Sequence, residues 1–455
     1  MEKIIKTAII IFNFQFSIFN YAEAQSLQKL YDLADQQSQQ IIVSRTELQA
    51  ASEAVAAAKS AMLPNVSLGL SGSYTGNAML MSRGFSTSGT IDVIVAGLGP
   101  QQVPNGKQDT PHWGNSFTAQ ASQVIYAGGG ITAGIRMAEL GEELARLDVE
   151  KQRQEVRFLI TGYYLDLYKL QNQQQVIDQN IALTEQVIRT MEARREQGTV
   201  LKNDLTRYEL QLKSLQLTRE KLADAQSIIN HQLCTTLHLA EGSTIAVDTL
   251  LLSQETTALK TIANLQIWQQ TAAENNVGLR EASTASQLAE QEVNATRAAS
   301  RPSLAVVAED HLVGPYTNDL IPTNANVNVW FVGIGLKYDL GSLWKNKHNI
   351  RRARFDHQQA LENVQLARES VENGVQANYT NFLTSFKEVE TQQKQVELAT
   401  QNYDVVQNRY QNQLALLTDM LDASNMRLSA EMDLVNARIQ LLYNFYKLKY
   451  VTSSL

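Results

Sequence analysis

Val156-Arg-Phe-Leu-Ile160-Thr-Gly-Tyr163-Tyr-Leu-Asp-Leu167-Tyr-Lys-Leu170-Gln-Asn-Gln-Gln174-Gln-Val-Ile177-Asp-Gln-Asn-Ile181-Ala-Leu-Thr184-Glu-Gln-Val-Ile188-Arg-Thr-Met191 is the stretch that decides the architecture. Positions 156, 160, 163, 167, 170, 174, 177, 181, 184, 188 and 191 advance by alternate steps of four and three. All are apolar except Gln174 and Thr184. A 3.5-residue period held for five heptads means coiled-coil packing. Extended over 131–197, such a helix would be roughly 100 Å long, more than an ordinary globular domain needs.

The same seam returns in Val375, Tyr379, Phe382, Phe386, Val389, Val396, Tyr403, Val406 and Tyr410. The chain is duplicated. Lys59-Ser-Ala-Met-Leu-Pro64-Asn-Val-Ser-Leu68 matches Arg297-Ala-Ala-Ser-Arg-Pro302-Ser-Leu-Ala-Val306, and Gly198-Thr-Val-Leu-Lys-Asn-Asp204 matches Gln413-Leu-Ala-Leu-Leu-Thr-Asp419. Tyr164 and Tyr379 share the shift that relates Asp204 to Asp419. A repeat of this size is a duplicated half-protein rather than a solenoid unit.

Each copy reads as helix, two strands and a long helical hairpin. The first repeat, 25–240, holds a helix over 26–62, a β-hairpin over 66–126 and a helical hairpin over 131–239. A connecting segment, 241–257, leads to the second repeat, 258–455. That repeat holds a helix over 258–300, a β-hairpin over 303–340 and a helical hairpin over 342–450. Turns at 198–203 and 412–418 return the chain. Val66, Leu68, Leu70, Gly72 and Tyr74 alternate with polar or small residues, as in a strand with one polar face. Trp330, Val332, Ile334, Leu336, Tyr338 and Leu340 share a face as well. From Trp330 to Tyr338, tilted by about 40°, such a strand covers roughly 21 Å, the height of an outer-membrane apolar band between aromatic girdles. A strand in a sandwich core reads the same way. The strand near 116–126 is weaker, with neither face cleanly apolar. A Gly-, Ser- and Asn-rich loop is expected over 75–115.

Composition narrows the class. With 455 residues, 19% charged and a mean hydropathy of −0.24, the chain is not a polytopic helical membrane protein. The net charge of −7 is mild and no basic patch suggests nucleic acid. The six His residues are scattered without metal-ligand spacing. No phosphate loop, nucleophile elbow or His/carboxylate cluster points to an enzyme, and no cofactor is expected. Cys234 sits in an apolar run and reads as a core residue, and Asp310-His311 reads as a solvated pair at a strand end. Lys3 and Lys6, the uncharged run Thr7–Ala22 and Ala22-Glu-Ala24 read as a signal peptide over 1–24, with the mature chain starting at Gln25.

Four strands cannot close a barrel in lipid, so protomers would have to share one. Three copies would give twelve strands. This layout resembles the TolC-type outer-membrane efflux family over about 27–450. The residues that carry the resemblance are the Pro64 and Pro302 entries, Gly128-Gly129, Asp419-Met-Leu-Asp422-Ala423 and Leu233-x-x-x-Leu237-x-Leu239. It implies a mostly α fold with a two-fold internal repeat: a periplasmic tunnel of coiled-coil hairpins beneath four strands given to a shared 12-stranded outer-membrane barrel in a homotrimer. It further implies a passive duct through outer-membrane lipid, joined by a periplasmic adaptor to an inner-membrane pump. Drug efflux and type I protein secretion both fit, and the cargo is open. A periplasmic coiled-coil scaffold that never spans the membrane is the alternative.

By the same resemblance, Asp419 and Asp422 form acidic rings at a periplasmic gate. Tyr410 and Asp204 occupy positions that bond neighbouring hairpins in the closed state. A second role is open to Asp204 and Asp419, since carboxylates at helix starts cap free N–H groups. The family's basic residue in the second tip is Ala415 here, and its tip glycine is Gln413. Adaptor contact is expected at Gly198, Thr199, Val200 and Leu201 and at Leu414, Ala415, Leu416 and Leu417, where Leu414, Leu416 and Leu417 are too apolar for a free turn. Packing between neighbouring hairpins accounts for it equally well.

Overall fold

The computed structural model describes residues 26–76, 79–80, 90–95, 99–104, 106–107, 111–240, 242–249, 259, 264–318 and 321–455. The signal segment 1–24 and positions 241 and 250–257 of the connecting segment lie outside these residues, and the helix expected from 258 begins instead at Leu265, where the Asn264 side chain accepts from Ile267 N–H at 3.1 Å. The chain divides into a sheet unit, Gln49–Leu144 with Thr284–Glu362, and a helical unit made of the remainder.

In the first copy α2 (Gln39–Ser60, after α1, Leu27–Gln37) leads through Pro64 into β1 (Asn65–Tyr74). The second copy repeats the step: α5 (Leu265–Asn275), α6 (Val277–Ala298), Pro302, then β7 (Ser303–Gly314). Proline suits both junctions because it pushes the preceding residue to extended backbone and ends the helix. β6 (Trp113–Ala127) and β10 (Val327–Lys337) complete a four-stranded antiparallel sheet in the order β1-β6-β7-β10. The segment expected as a loop over 75–115 contains short pairs. β2 (Met79–Leu80) pairs with β5 (Gly106–Lys107), and β3 (Thr90–Val95) with β4 (Gly99–Pro104). The β-branched run Thr90-Ile-Asp-Val-Ile-Val accounts for β3. β8 (Tyr316–Asn318) pairs with β9 (Ile321–Thr323).

Register sorts the sheet into two faces. Val66, Ala121, Ala308 and Val332 form one cross-strand row, and Leu70, Phe117, Leu312 and Asn328 another. The opposite face carries Ser67, Gln120, Glu309 and Phe331, then Gly69, Thr118, His311 and Val329. β6 looked weak because its contribution to the apolar face is largely alanine, which only its neighbours make legible. β10 stops at Lys337 rather than 340. Asp339 closes the chain there, its carboxylate accepting from Gly341 N–H at 3.0 Å. β7 runs three residues past its expected end, which puts Asp310 and His311 inside the strand.

Beyond β6, Gly128 and Gly129 adopt positive φ (64° and 90°). A Cβ on Gly128 would lie 2.6 Å from the Ala298 carbonyl oxygen. Arg301 donates to the Gly128 carbonyl at 3.0 Å, tying the end of the first β-hairpin to the start of the second.

The long helices α3 (Gly130–Glu196) and α4 (Lys202–Thr236) form one hairpin, and α8 (Lys347–Gln411, after the short α7, Ser342–Lys345) and α9 (Leu417–Val451) the other. The expected helix over 26–62 is two, broken at Ser38. That over 258–300 is broken at Asn276, with the same extended backbone (ψ 123° and 120°). Asn276 itself caps the next helix, accepting from Leu279 N–H at 3.0 Å and donating to the Val451 carbonyl at 2.9 Å. Leu30, Ile160, Leu233, Leu237, Phe382 and Leu442 meet in one core at 0–1% exposure. Full burial of each such side chain contributes about 1.5–3 kcal/mol.

The seam holds at Val156, Ile160, Leu167, Leu170, Ile177, Thr184 and Met191, all buried. Its polar members are satisfied: Thr184 donates to the Asn180 carbonyl at 2.7 Å, and Gln174 accepts from Gln226 across the hairpin at 2.9 Å. At 163 the helix buries the adjacent Tyr164 instead, whose hydroxyl accepts from Asp248 N–H at 2.8 Å.

The two hairpins turn alike. Thr199 N–H bonds the Arg194 carbonyl and Gly198 N–H the Arg195 carbonyl. Leu414 N–H bonds the Arg409 carbonyl and Gln413 N–H the Tyr410 carbonyl. This is the Schellman C-cap, which needs a left-handed residue: Gly198 at φ 75° and Gln413 at φ 64°.

Two outcomes follow for stability. Gly128→Ala should lower it by about 2–4 kcal/mol in denaturant melts, combining left-handed strain with the carbonyl clash. Gln413→Gly should raise it by about 0.5–1 kcal/mol, because relief of the left-handed cost of roughly 1–2 kcal/mol exceeds most of glycine's entropic penalty.

Candidate functional site

The two hairpin tips bring together most of the residues singled out by sequence. Asp204 and Asp419 both occupy the third position of their helices, α4 and α9, behind the extended residues Leu201 and Leu416. They differ in what they touch. Asp419 is exposed, and its carboxylate accepts from Leu416 N–H at 3.0 Å. It satisfies one of the free amides at the start of α9 and complements its dipole. Asp204 is half-buried, and its negative charge bears on the Tyr410 hydroxyl. Asp422, one turn beyond Asp419, is exposed.

Tyr410 is half-buried between two small cores. Met191, Leu205, Tyr208 and Leu417 form the first; Tyr403, Met420 and Ala423 form the second. Burial pushes the Tyr410 phenol above its ordinary range. The Asp204 carboxylate adds to the rise, and the Arg194 guanidinium opposes it. Tyr410 thus sits in the opposing fields of an acid and a base.

Arg194 was not anticipated. Its guanidinium donates to the Gln411 carbonyl at 3.4 Å, joining the end of α3 to the end of α8. Reading for a basic group in the second tip finds only Ala415, whereas here the base comes from the first. The available signal was a basic residue in the last turn of a helix, which also fits ordinary dipole compensation. Tyr208 was missed too. It is 3% exposed, with its hydroxyl buried and unpartnered, and burial followed by the neighbouring Tyr403 and Tyr410 raises its pKa strongly. Arg427 lies 4.4 Å over the Tyr403 ring and pairs with Glu431 at 3.3 Å.

The apolar tip residues divide. Leu201, Leu414 and Leu416 are about 70% exposed, while Leu417 is buried at 7% in the chain's own core. Val200 packs against that core, Ala415 is half-buried, and Gly198 and Thr199 are exposed. The free apolar surface is thus three leucines. Among the described residues no group of His, Cys, Asp or Glu could hold a metal ion, and no helix is long and apolar enough to cross a membrane.

The chain as a whole is similar to known outer-membrane proteins. The chain is 23% identical to the outer membrane protein TolC of Salmonella enteritidis over 189 residues, 40% of this chain and 38% of that protein. Its fold is similar to the outer membrane protein VceC from Vibrio cholerae (TM-score 0.73, 15% identity, 94% of this chain and 96% of that one). CusC superposes at a TM-score of 0.77 (15% identity, 94% and 92%), and the Campylobacter jejuni CmeC outer membrane channel at 0.71 (15%, 94% and 85%). At these identities the likeness shows the fold: helical hairpins with a small antiparallel sheet. The family described as outer membrane efflux protein matches residues 30–237 and 268–452, nearly the whole of both repeats, and the chain belongs to that family of outer-membrane channels.

Proposed function

We propose that the chain forms a passive homotrimeric duct that carries solutes out through the outer membrane and periplasm. An inner-membrane pump drives transport through a periplasmic adaptor. The observation that carries this reading is the sheet with two free edges. β1 and β10 flank it, each about ten residues long, with Leu68, Leu70, Trp330 and Ile334 at 72–84% exposure. A face this apolar belongs in hydrocarbon, where unpaired edge amides and carbonyls cost several kcal/mol each. Pairing β10 of one copy with β1 of the next satisfies them, and three copies make a closed twelve-stranded wall with the face of Ser67, Thr118, Gln120, Glu309 and His311 inward. The same observation speaks against a scaffold that stays in the periplasm.

The gate then lies at the tips. Three copies bring Asp419 and Asp422 around one axis, where like charges attract cations and repel one another. Asp419 keeps its capping bond in this reading, so it serves both roles. The Asp204–Tyr410–Arg194 constellation holds α3, α4 and α8 together within a protomer, and its loosening would accompany opening. The exposed Leu201, Leu414 and Leu416 offer the adaptor an apolar foothold.

Single-channel recording of the purified mature protein in a planar bilayer tests the duct. Wild type should give small, cation-preferring openings, and Asp419→Ala/Asp422→Ala wider openings with weaker preference. Identical openings would leave the aspartates as caps, and no insertion by folded trimer would end the duct reading. For the tips, Leu414→Asp/Leu416→Asp should abolish efflux of a reporter dye from cells while trimer assembly persists. Retained efflux would remove the docking role.

A further inference from the structure

β7 alternates Glu309, Asp310 and His311 across the sheet, and the middle residue falls on the wrong side. Glu309 and His311 sit on the polar face, His311 within 3.3 Å of the Ser116 hydroxyl. Asp310 lies in the apolar row Leu68–Ala119–Asp310–Trp330. Among the described strand residues that face carries no Lys, Arg or His, so no cation of the sheet can pair with it. Its Oδ1 is buried without a hydrogen-bond partner. An ionisable group on a lipid-facing surface is costly and marks a function whose partner must be found.

The surroundings describe that partner. Trp330, the direct cross-strand neighbour of Asp310, is 72% exposed, and a Trp at the end of an apolar band sits at headgroup depth. A carboxylate beside an indole is the pairing that recognises an ammonium group, through charge and through the ring's electron-rich face. Toward the helical end of the strands, Ala119 is followed by Ala121 and Ala308. These small side chains make a low strip between Val66 and Leu68 on one side and Val332 on the other. We infer that Asp310 and Trp330 form a lipid site on the outer wall of the sheet. It takes a primary-ammonium headgroup at the carboxylate and lays an acyl chain along the alanines. This rests on the proposed membrane-facing orientation of the apolar face.

The test is native mass spectrometry of lipid retained by the full mature protein after release from vesicles of equal phosphatidylethanolamine and phosphatidylglycerol, with EDTA and with Mg²⁺. Wild type should retain the ethanolamine lipid over the glycerol lipid by about five- to tenfold, Asp310→Asn should show no preference, and Trp330→Leu should lose about two- to fivefold. An unchanged preference in Asp310→Asn would overturn the site. So would retention of the glycerol lipid that needs Mg²⁺, which would mean a metal-bridged phosphate instead. If wild type retains no lipid of either kind and also fails to conduct in bilayers, the barrel reading falls and the site with it. Normal conductance without headgroup preference removes the site alone.

Discussion

Backbone hydrogen bonding at the edges of the sheet is the constraint from which the rest follows. β1 and β10 each leave one side of their backbone unpaired, and both carry an apolar face. In water such edges are merely solvated and prone to pairing. In hydrocarbon they are untenable, and a chain that supplies four strands must borrow the rest. Duplication makes this simple, because each copy delivers one β-hairpin and one helical hairpin of matching design. The paired proline junctions and the paired helix breaks at Ser38 and Asn276 show how closely the copies agree.

Register is the next level of control. A slip of one residue in β7 would exchange the rows, sending Glu309 and His311 to the apolar side. Gly128, with its left-handed backbone packed against the Ala298 carbonyl, and Arg301, bonded to the Gly128 carbonyl, anchor the helical end of the sheet where register is set. Against that discipline Asp310 stands out as an exception, a carboxylate on the apolar row with an unpartnered oxygen.

At the tips, two equivalent turns have diverged in chemistry while keeping their backbone. Gly198 and Gln413 carry the same left-handed cap. Asp419 bonds its own helix start, whereas its counterpart Asp204 faces Tyr410, and Arg194 reaches across to Gln411. One hairpin thus offers the exposed carboxylates Asp419 and Asp422, while Asp204 and Arg194 of the other bear on Tyr410 and Gln411 of the first. In the proposed duct, such a division would let the exposed carboxylates act on ions while the contacts around Tyr410 set how firmly the helices are held. The unpartnered Tyr208 hydroxyl in the same core costs about 1–3 kcal/mol and leaves that core less than fully settled.

The sequence by itself determined the duplication, the coiled-coil seams, the strand–helix order and the family, because periodicity and residue order are one-dimensional properties that survive without coordinates. Through the family resemblance it also singled out Asp419, Asp422, Asp204 and Tyr410 as gate candidates. Tertiary structure alone decided which face each strand residue takes, since alanines such as Ala119 and Ala121 acquire a face only from their cross-strand partners. It decided that Leu417 turns inward while Leu414 and Leu416 stay exposed. It also brought Arg194 to the second tip, although Gln411 lies more than two hundred positions away in the chain. Contacts of that kind are fixed by how helices pack side by side, and no local spacing in the chain encodes them.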